Sequence, residues 1–299
     1  MKSFITTFLI IGIVASNLTY AQTTLQYRLN AGDTFKVLQT AKQDIVQNMN
    51  GSKHEMTNLL EGDFTFSVEI VTDSLYHIKF KFDRFKMIST SNLLGEIFKI
   101  NTKDEIPEDD IQGKIFAQLV TTDLYMEMYK TGQIKSVSGS EKLIDNMINS
   151  AGDFDDFTRE MMKESVRKEF GNESLAQSFE QMTYIYTNKS LRTGDSWSNN
   201  FDGEMSATNV WTLEQITNDD VFIKGTSDVI FMTDDGAIAM NLTGKMTTDI
   251  VSSLQTGFIK RMTSTSNDSG ISIMRDMKNV EVPTTIISEI TYKIEKHVQ

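Results

Sequence analysis

Two short motifs each occur twice, in the same order, and this constrains the fold more than any other feature of the chain. Gly32-Asp33-Thr34-Phe35 is echoed by Gly194-Asp195-Ser196-Trp197, and Thr131-Gly132-Gln133-Ile134-Lys135 by Thr256-Gly257-Phe258-Ile259-Lys260. Gly-Asp ahead of an alternating run is turn chemistry, since glycine supplies the positive φ that a tight turn needs. The aromatic that follows, Phe35 or Trp197, then anchors the first strand of each unit. The repeated order predicts two diverged copies of one β unit flanking a helical segment. The first copy is the longer, and a non-β insert near residues 92–119 accounts for the excess.

Period-two alternation carries the strand reading. Phe64, Phe66, Val68 and Ile70 share one face, and Asp63, Thr65, Ser67 and Glu69 the other, as in a strand with one wet side. Tyr76, Ile78, Phe80 and Phe82 do the same, but the apolar set then moves to Phe85 and Met87. That change of parity predicts a β-bulge near Asp83-Arg84. Asn50-Gly51 and Asp234-Asp235-Gly236 are hairpin signals. Thr131-Gly132 turns a hairpin between 125–129 and 134–137. Ser269-Gly270 reads as a further turn, and 92–113 as a break in the strand pattern. About a dozen strands joined by short turns give an antiparallel meander without the βαβ alternation of a parallel sheet.

Between the copies the period changes to that of a helix. Pro107 followed by Glu108, Asp109 and Asp110 marks a helix start. Leu143, Ile144, Met147 and Ile148 follow Ser140 on one stripe. Phe154, Phe157, Met161, Met162, Val166 and Phe170 form a second, ended by Gly171, and Leu175, Phe179 and Met182 a third. These stripes must bury against the β halves. The expected fold class is α+β, predominantly antiparallel β: two meander units forming curved sheets, with a helical segment packed on them. The expected boundaries are 1–21 for a signal peptide, 22–139 and 191–299 for the β units, and 140–190 for the helices, with 22–299 as one compact unit.

The leader reading rests on Lys2, the apolar run Phe4–Val14 and the small residues of Thr19-Tyr20-Ala21, which favour cleavage before Gln22. The chain is then exported, to the periplasm or cell surface, with no transmembrane segment in its mature part. With no cysteine in the sequence, an exported chain of this length relies on an ordinary core in place of disulfides. A formal net charge of −12 opposes binding to nucleic acid or anionic lipid.

The search for chemistry turns up no catalytic residue, metal site or cofactor site. There is no Gly-x-Ser-x-Gly elbow, phosphate loop or calcium loop, and His54, His77 and His297 are scattered. The acid clusters at 104–110 and 153–156 read as helix N-termini. Met126-x-Met128 is either core or a soft-metal pair, and core filling is the reading adopted. Asp73-Ser74-Leu75 fits a three-residue hydroxyl-glycosylation pattern, and a plain turn is the reading adopted. The candidate ligand-binding residues are Phe157, Met161, Met162, Phe179 and Met182, a deformable apolar wall, with Trp197 as a candidate stacking ring.

The export signal, the paired Gly-Asp-Ser/Thr-aromatic turns and the Thr-Gly-x-Ile-Lys hairpins together resemble an uncharacterised family of exported Gram-negative proteins, a domain of unknown function. The resemblance covers nearly all of the chain after residue 21 and implies no activity and no catalytic residues. At the level of fold alone, a curved antiparallel sheet with helices is similar to the half-barrels of periplasmic lipoprotein carriers. The function expected is non-enzymatic binding of an apolar small molecule or lipid. The alternative is a structural or protein-interaction module of the envelope with an envelope protein as partner.

Overall fold

A computed structural model describes residues 22–49, 51–234 and 236–298. The leader segment 1–21, Asn50 of the first hairpin and Asp235 of the later one lie outside the described residues. In chain order the strands of the first unit are β1 (Thr23–Thr24), β2 (Thr34–Met49), β3 (Ser52–Val71), β4 (Leu75–Ser91), β5 (Gly95–Asn101), β6 (Leu124–Tyr129) and β7 (Ile134–Ser138). A short helix α1 (Ile111–Ala117) precedes β6. Three helices follow, α2 (Ser140–Ala151), α3 (Asp156–Phe170) and α4 (Asn172–Thr183). The second unit comprises β8 (Ser190–Leu191), β9 (Ser196–Phe201), β10 (Met205–Ile216), β11 (Asp220–Asp234), β12 (Ile238–Ser253), β13 (Ile259–Met274) and β14 (Val280–Val298).

Twelve strands form one antiparallel sheet in the order β7-β6-β4-β3-β2-β14-β13-β12-β11-β10-β9, with β5 also on β4. The units are joined at its centre, where β14 runs antiparallel to β2 from Thr284↔Gln47 to Val298↔Thr34. The ends of this order are β7 and β9, and the chain around α4 binds both. On the β7 side, Ile134 N donates to Glu180 Oε1 (2.9 Å) and Tyr186 N to Thr131 O (3.2 Å). On the β9 side, Trp197 Nε1 donates to Ile185 O (3.0 Å) and Asn199 Nδ2 to Tyr184 O (2.5 Å). A single helix and the segment after it thus close the gap in a curled sheet, a way of covering edges that would otherwise invite pairing.

The repeated motifs have matching geometry. In both Gly-Asp turns the aspartate Oδ2 accepts from the backbone N–H three residues earlier, Asn30 or Arg192, at 2.8 Å. In both, the glycine N–H donates across to the neighbouring strand, Gly32 to Val68 O (2.8 Å) and Gly194 to Leu213 O (2.7 Å). The two Thr-Gly hairpins also share a role. Tyr27 Oη donates to Thr183 O (3.0 Å), directly above Gly132, and Tyr186 Oη donates to the Gly257 carbonyl (2.6 Å). The two tyrosine rings meet edge to face at 5.2 Å.

The predicted bulge is at Asp83: Arg84 pairs with Asp63 and Phe82 with Phe64, leaving Asp83 unopposed. Phe82 and Phe85 consequently both face inward and are buried. Two expectations are corrected. The interval 92–113 contains a strand, β5. Its parity is broken because Ile97 is bulged out between Phe98↔Ser89 and Glu96↔Thr90. Ser269-Gly270 is no turn but the middle of β13. A Cβ on Gly270 would sit 2.2 Å from Asn241 O, so this glycine permits close strand approach, and the turn comes later, at Lys278-Asn279 with φ of 60° and 59°.

Helices α2 to α4 are where the sequence places them, with Asp155 capping α3 through Thr158 N (3.0 Å), whereas the start marked by Pro107 comes four residues later, where Asp110 caps α1 through Gly113 N (2.8 Å). Their packing differs from the amphipathic expectation. The apolar face of α2 (Leu143, Ile144, Met147, Ile148) is fully buried, whereas α3 has no buried residue. The α2–α3 seam is instead a polar ladder of one-helical-turn rungs. Arg159 bonds Asn149 (2.6 Å), Lys163 bonds Asp145 (2.8 Å), and Arg167 forks onto Glu141 (two contacts of 2.9 Å).

Candidate functional site

Alternation puts the aromatic residues of β3 and β4 on the concave side of the sheet, and register places them opposite one another: Phe64↔Phe82 and Phe66↔Phe80. Neighbouring ring centroids in this group are 4.9 to 5.4 Å apart. Phe179 on α4 descends onto it, 4.4 Å from Phe80 and 6.3 Å from Phe66. Because of the Asp83 bulge, Phe85 joins the same face and stacks on Phe116 of α1 at 5.4 Å. Phe116 in turn meets Phe170, the last residue of α3.

These rings do not fill the space between sheet and helices. They wall a cavity of about 440 Å³, together with Leu60, Met87, Leu175, Met182 and Tyr292, and it reaches the surface beside Ser178, Glu169 and Phe170. The size and aromatic lining with few polar groups suit a small apolar ligand. The polar groups are sparse and distinct. Gln39 Nε2 donates to Tyr292 Oη (3.2 Å), and burial pushes the Tyr292 hydroxyl up to about 12. Although Glu169 as a whole is exposed, its carboxyl is raised above the usual range, first by desolvation and then by repulsion from Glu204. None of the lining residues is basic.

The structure divides the sequence candidates. Phe179 and Met182 are buried at the cavity wall. Phe157 and Met161 are 77% and 60% exposed and point away from it. Met162 is half-buried and outside the lining. Trp197 is buried in β9, held through its indole N–H, and takes no part in the wall. Met126 and Met128 are buried in β6. The strand phenylalanines were legible only as core. The signal distinguishing them is that two adjacent strands carry the bulkiest side chains on the same face, opposite one another, with only one short helix to cover them.

Among the described residues, no helix is long and apolar enough to cross a membrane, and no three His, Asp or Glu side chains are grouped to hold a metal ion. No curated protein matches the chain. A crystal structure of a Bacteroides fragilis protein with a YmcC-like fold, provisionally described as exported, aligns over 93% of this chain and 100% of its own, at 8% identity and a TM-score of 0.26. A likeness that weak bears on neither ligand nor activity. The model of the Family of unknown function (DUF6263) matches residues 73–259, from the β3–β4 turn to the start of β13, which is well over half of the chain. The protein belongs to this family, in agreement with the sequence resemblance to an uncharacterised domain.

Proposed function

We propose that this is an exported, non-enzymatic binding protein that holds an apolar small molecule or lipid tail against the concave face of its sheet. The observation that carries the reading is the cavity of about 440 Å³ walled by phenylalanines of β3, β4 and α4. Burying apolar ligand surface there gains about 25 cal/mol per Å² before ordering costs. The lining supports binding over catalysis because Glu169 and Tyr292 are its only ionisable groups, one at the mouth and one at the base. The matching turns and crossing tyrosines support descent of the two β units from one duplicated unit. The polar α2–α3 seam supports α3, whose end frames the mouth, as the element that gives way for entry. Water can replace each rung of that seam at little cost.

Ser178 lines the mouth and is exposed, so Ser178→Trp blocks the opening without disturbing the core. Titration with tetradecanol, followed by native mass spectrometry and calorimetry, is expected to give one-to-one binding that weakens at least tenfold in Ser178→Trp at unchanged melting temperature. Absence of binding to the unmodified protein, or equal binding by the variant, refutes the reading. The alternative, an envelope interaction module, draws support from the outward Phe157 and Met161 of α3. It predicts that Phe157→Ser/Met161→Ser abolishes capture of a partner and leaves tetradecanol binding intact.

A further inference from the structure

The concave face continues beyond the phenylalanine cavity and ends on a carboxylate with one oxygen unused. Asp268 of β13 faces inward between Gly244 of β12 and Ile286 of β14. It is only 7% exposed. Its Oδ2 accepts from Ser266 Oγ at 2.7 Å, while the buried Oδ1 has no partner among the described residues. Gly244 makes room for that oxygen, since a Cβ there would lie 2.2 Å from Oδ1. A buried acceptor left unpaired forfeits the hydrogen bonds that water would give it, and the loss is larger for a charged group. Asp268 lines a second cavity of about 70 Å³ with Gln43, Phe231, Met246, Ile286 and Ser288 among its walls, and none of its lining residues is basic.

A separate void of about 20 Å³ borders both cavities. Its wall shares Tyr292 with the large cavity and Met205 and Met246 with the small one. Thioether side chains are the ones best able to shift aside for a chain. Along β14, Tyr292 and Ile286 are six residues apart, about 20 Å at the rise of a strand. That distance separates the tail cavity from the Asp268 carboxylate.

Resting on the binding function proposed above, we propose that the ligand is a single-chain amphiphile with a cationic, hydrogen-bond-donating head, a primary ammonium. Its head meets Asp268 Oδ1, and its tail runs past Met205 and Met246 to the Tyr292 edge of the phenylalanine cavity. An ammonium supplies both the missing donor and the missing charge. A hydroxyl head supplies only the donor, and a carboxylate head is repelled.

The test compares four probes of equal tail on the purified protein: tetradecylamine, tetradecanol, tetradecanoate and tetradecyltrimethylammonium, which keeps the charge but has no N–H. Native mass spectrometry counts bound molecules, so that a one-to-one complex is separated from cations gathered on an acidic surface. The expected result is that the amine binds at least tenfold tighter than tetradecanoate and at least threefold tighter than the quaternary analogue. In Asp268→Asn the amine-to-tetradecanoate ratio is expected to fall below threefold with tetradecanol binding unchanged. If Asp268→Asn does not fold, the quaternary comparison on the unmodified chain decides. Tetradecanol binding with no preference for the amine, or a preference that survives Asp268→Asn, overturns the head anchor and leaves the cavity reading standing. Failure of all four probes to bind overturns both.

Discussion

Adding one methyl group at Gly132 tests how the curled sheet is closed. Gly132 has φ of +93°, and its Cβ would lie 1.7 Å from Thr183 O and 2.7 Å from the Tyr27 ring. Gly132→Ala carries the left-handed backbone cost of about 1–2 kcal/mol. It also forces Thr183 away, breaking the bond from Thr183 Oγ1 to Gly132 O (2.7 Å) and that from Tyr27 Oη to Thr183 O (3.0 Å), about 1 kcal/mol each. The expected loss is about 3–4 kcal/mol. Gly32→Ala is the matched control. Its φ is +97° and nothing lies within 4 Å of the added carbon, so only the backbone term of about 1–2 kcal/mol applies. Urea unfolding followed by tryptophan fluorescence reads both, since Trp197 and Trp211 are buried. A difference of about 2 kcal/mol separates the midpoints by about 1 M. The second unit repeats the experiment, with Gly257→Ala (Cβ 2.2 Å from Gln26 O) against Gly194→Ala (open space). Coincident midpoints for Gly132→Ala and Gly32→Ala would refute the crossing of α4 over the hairpin and, with it, the closure.

Deleting Asp83 removes the bulge without changing faces, because Arg84↔Asp63 then follows directly on Phe82↔Phe64 and Phe85 and Met87 stay inward. Asp83→Ala likewise loses the bond from Thr65, about 1 kcal/mol, so the two variants are expected to have similar urea midpoints, and a deletion that unfolds several kcal/mol more easily refutes the register. Arg84→Met breaks the fork onto Asp63 (2.9 and 3.0 Å) and the contact with Glu61 (2.9 Å); on a face about a quarter exposed this costs about 1 kcal/mol in the same assay. Glu169 has a raised folded pKa, so its contribution is fully present below the unfolded value near 4.3 and is lost as pH rises through the folded one. Glu169→Gln should therefore melt higher than the unmodified protein at pH 7 and together with it at pH 4; equal melting at both refutes the desolvation at the mouth.

Much of the fold could be read from the residues, because a strand with one buried face writes its period directly into the sequence. The switch from Phe82 to Phe85 located a bulge to within one residue. The same device hid β5: the adjacent Ile97 and Phe98 looked aperiodic because Ile97 is the extra residue of a second bulge. At Ser269-Gly270 the ambiguity is intrinsic, since glycine suits both a turn and a strand whose neighbour comes too close for a side chain. The stripe Phe157-Met161 misled for a different reason. An apolar stripe says that a helix can bury a face, but α3 is held from the side by Arg159, Lys163 and Arg167, whose spacing of four is equally visible in the sequence.

The cavity itself was not legible from any one segment, because Phe64, Phe66, Phe80 and Phe82 alternate as ordinary core residues would. What separates a wall from a core is the layer opposite, and here element lengths decide. β3 has 20 residues and α4 has 12, about 66 Å of strand under about 18 Å of helix. The cover therefore ends well before the sheet does. Along the inner face of β2 the sequence changes accordingly, from Phe35 and Val37 to Gln39, Ala41, Gln43, Ile45 and Gln47. A face that is apolar under the helices and amide-rich beyond them has no residue type that packs against both, and space is left where one regime gives way to the other. Gln39 and Tyr292 stand at that boundary and Asp268 lies past it. The polar end of the groove thus follows from the mismatch in length, and it is there that the head of the proposed ligand would be recognised.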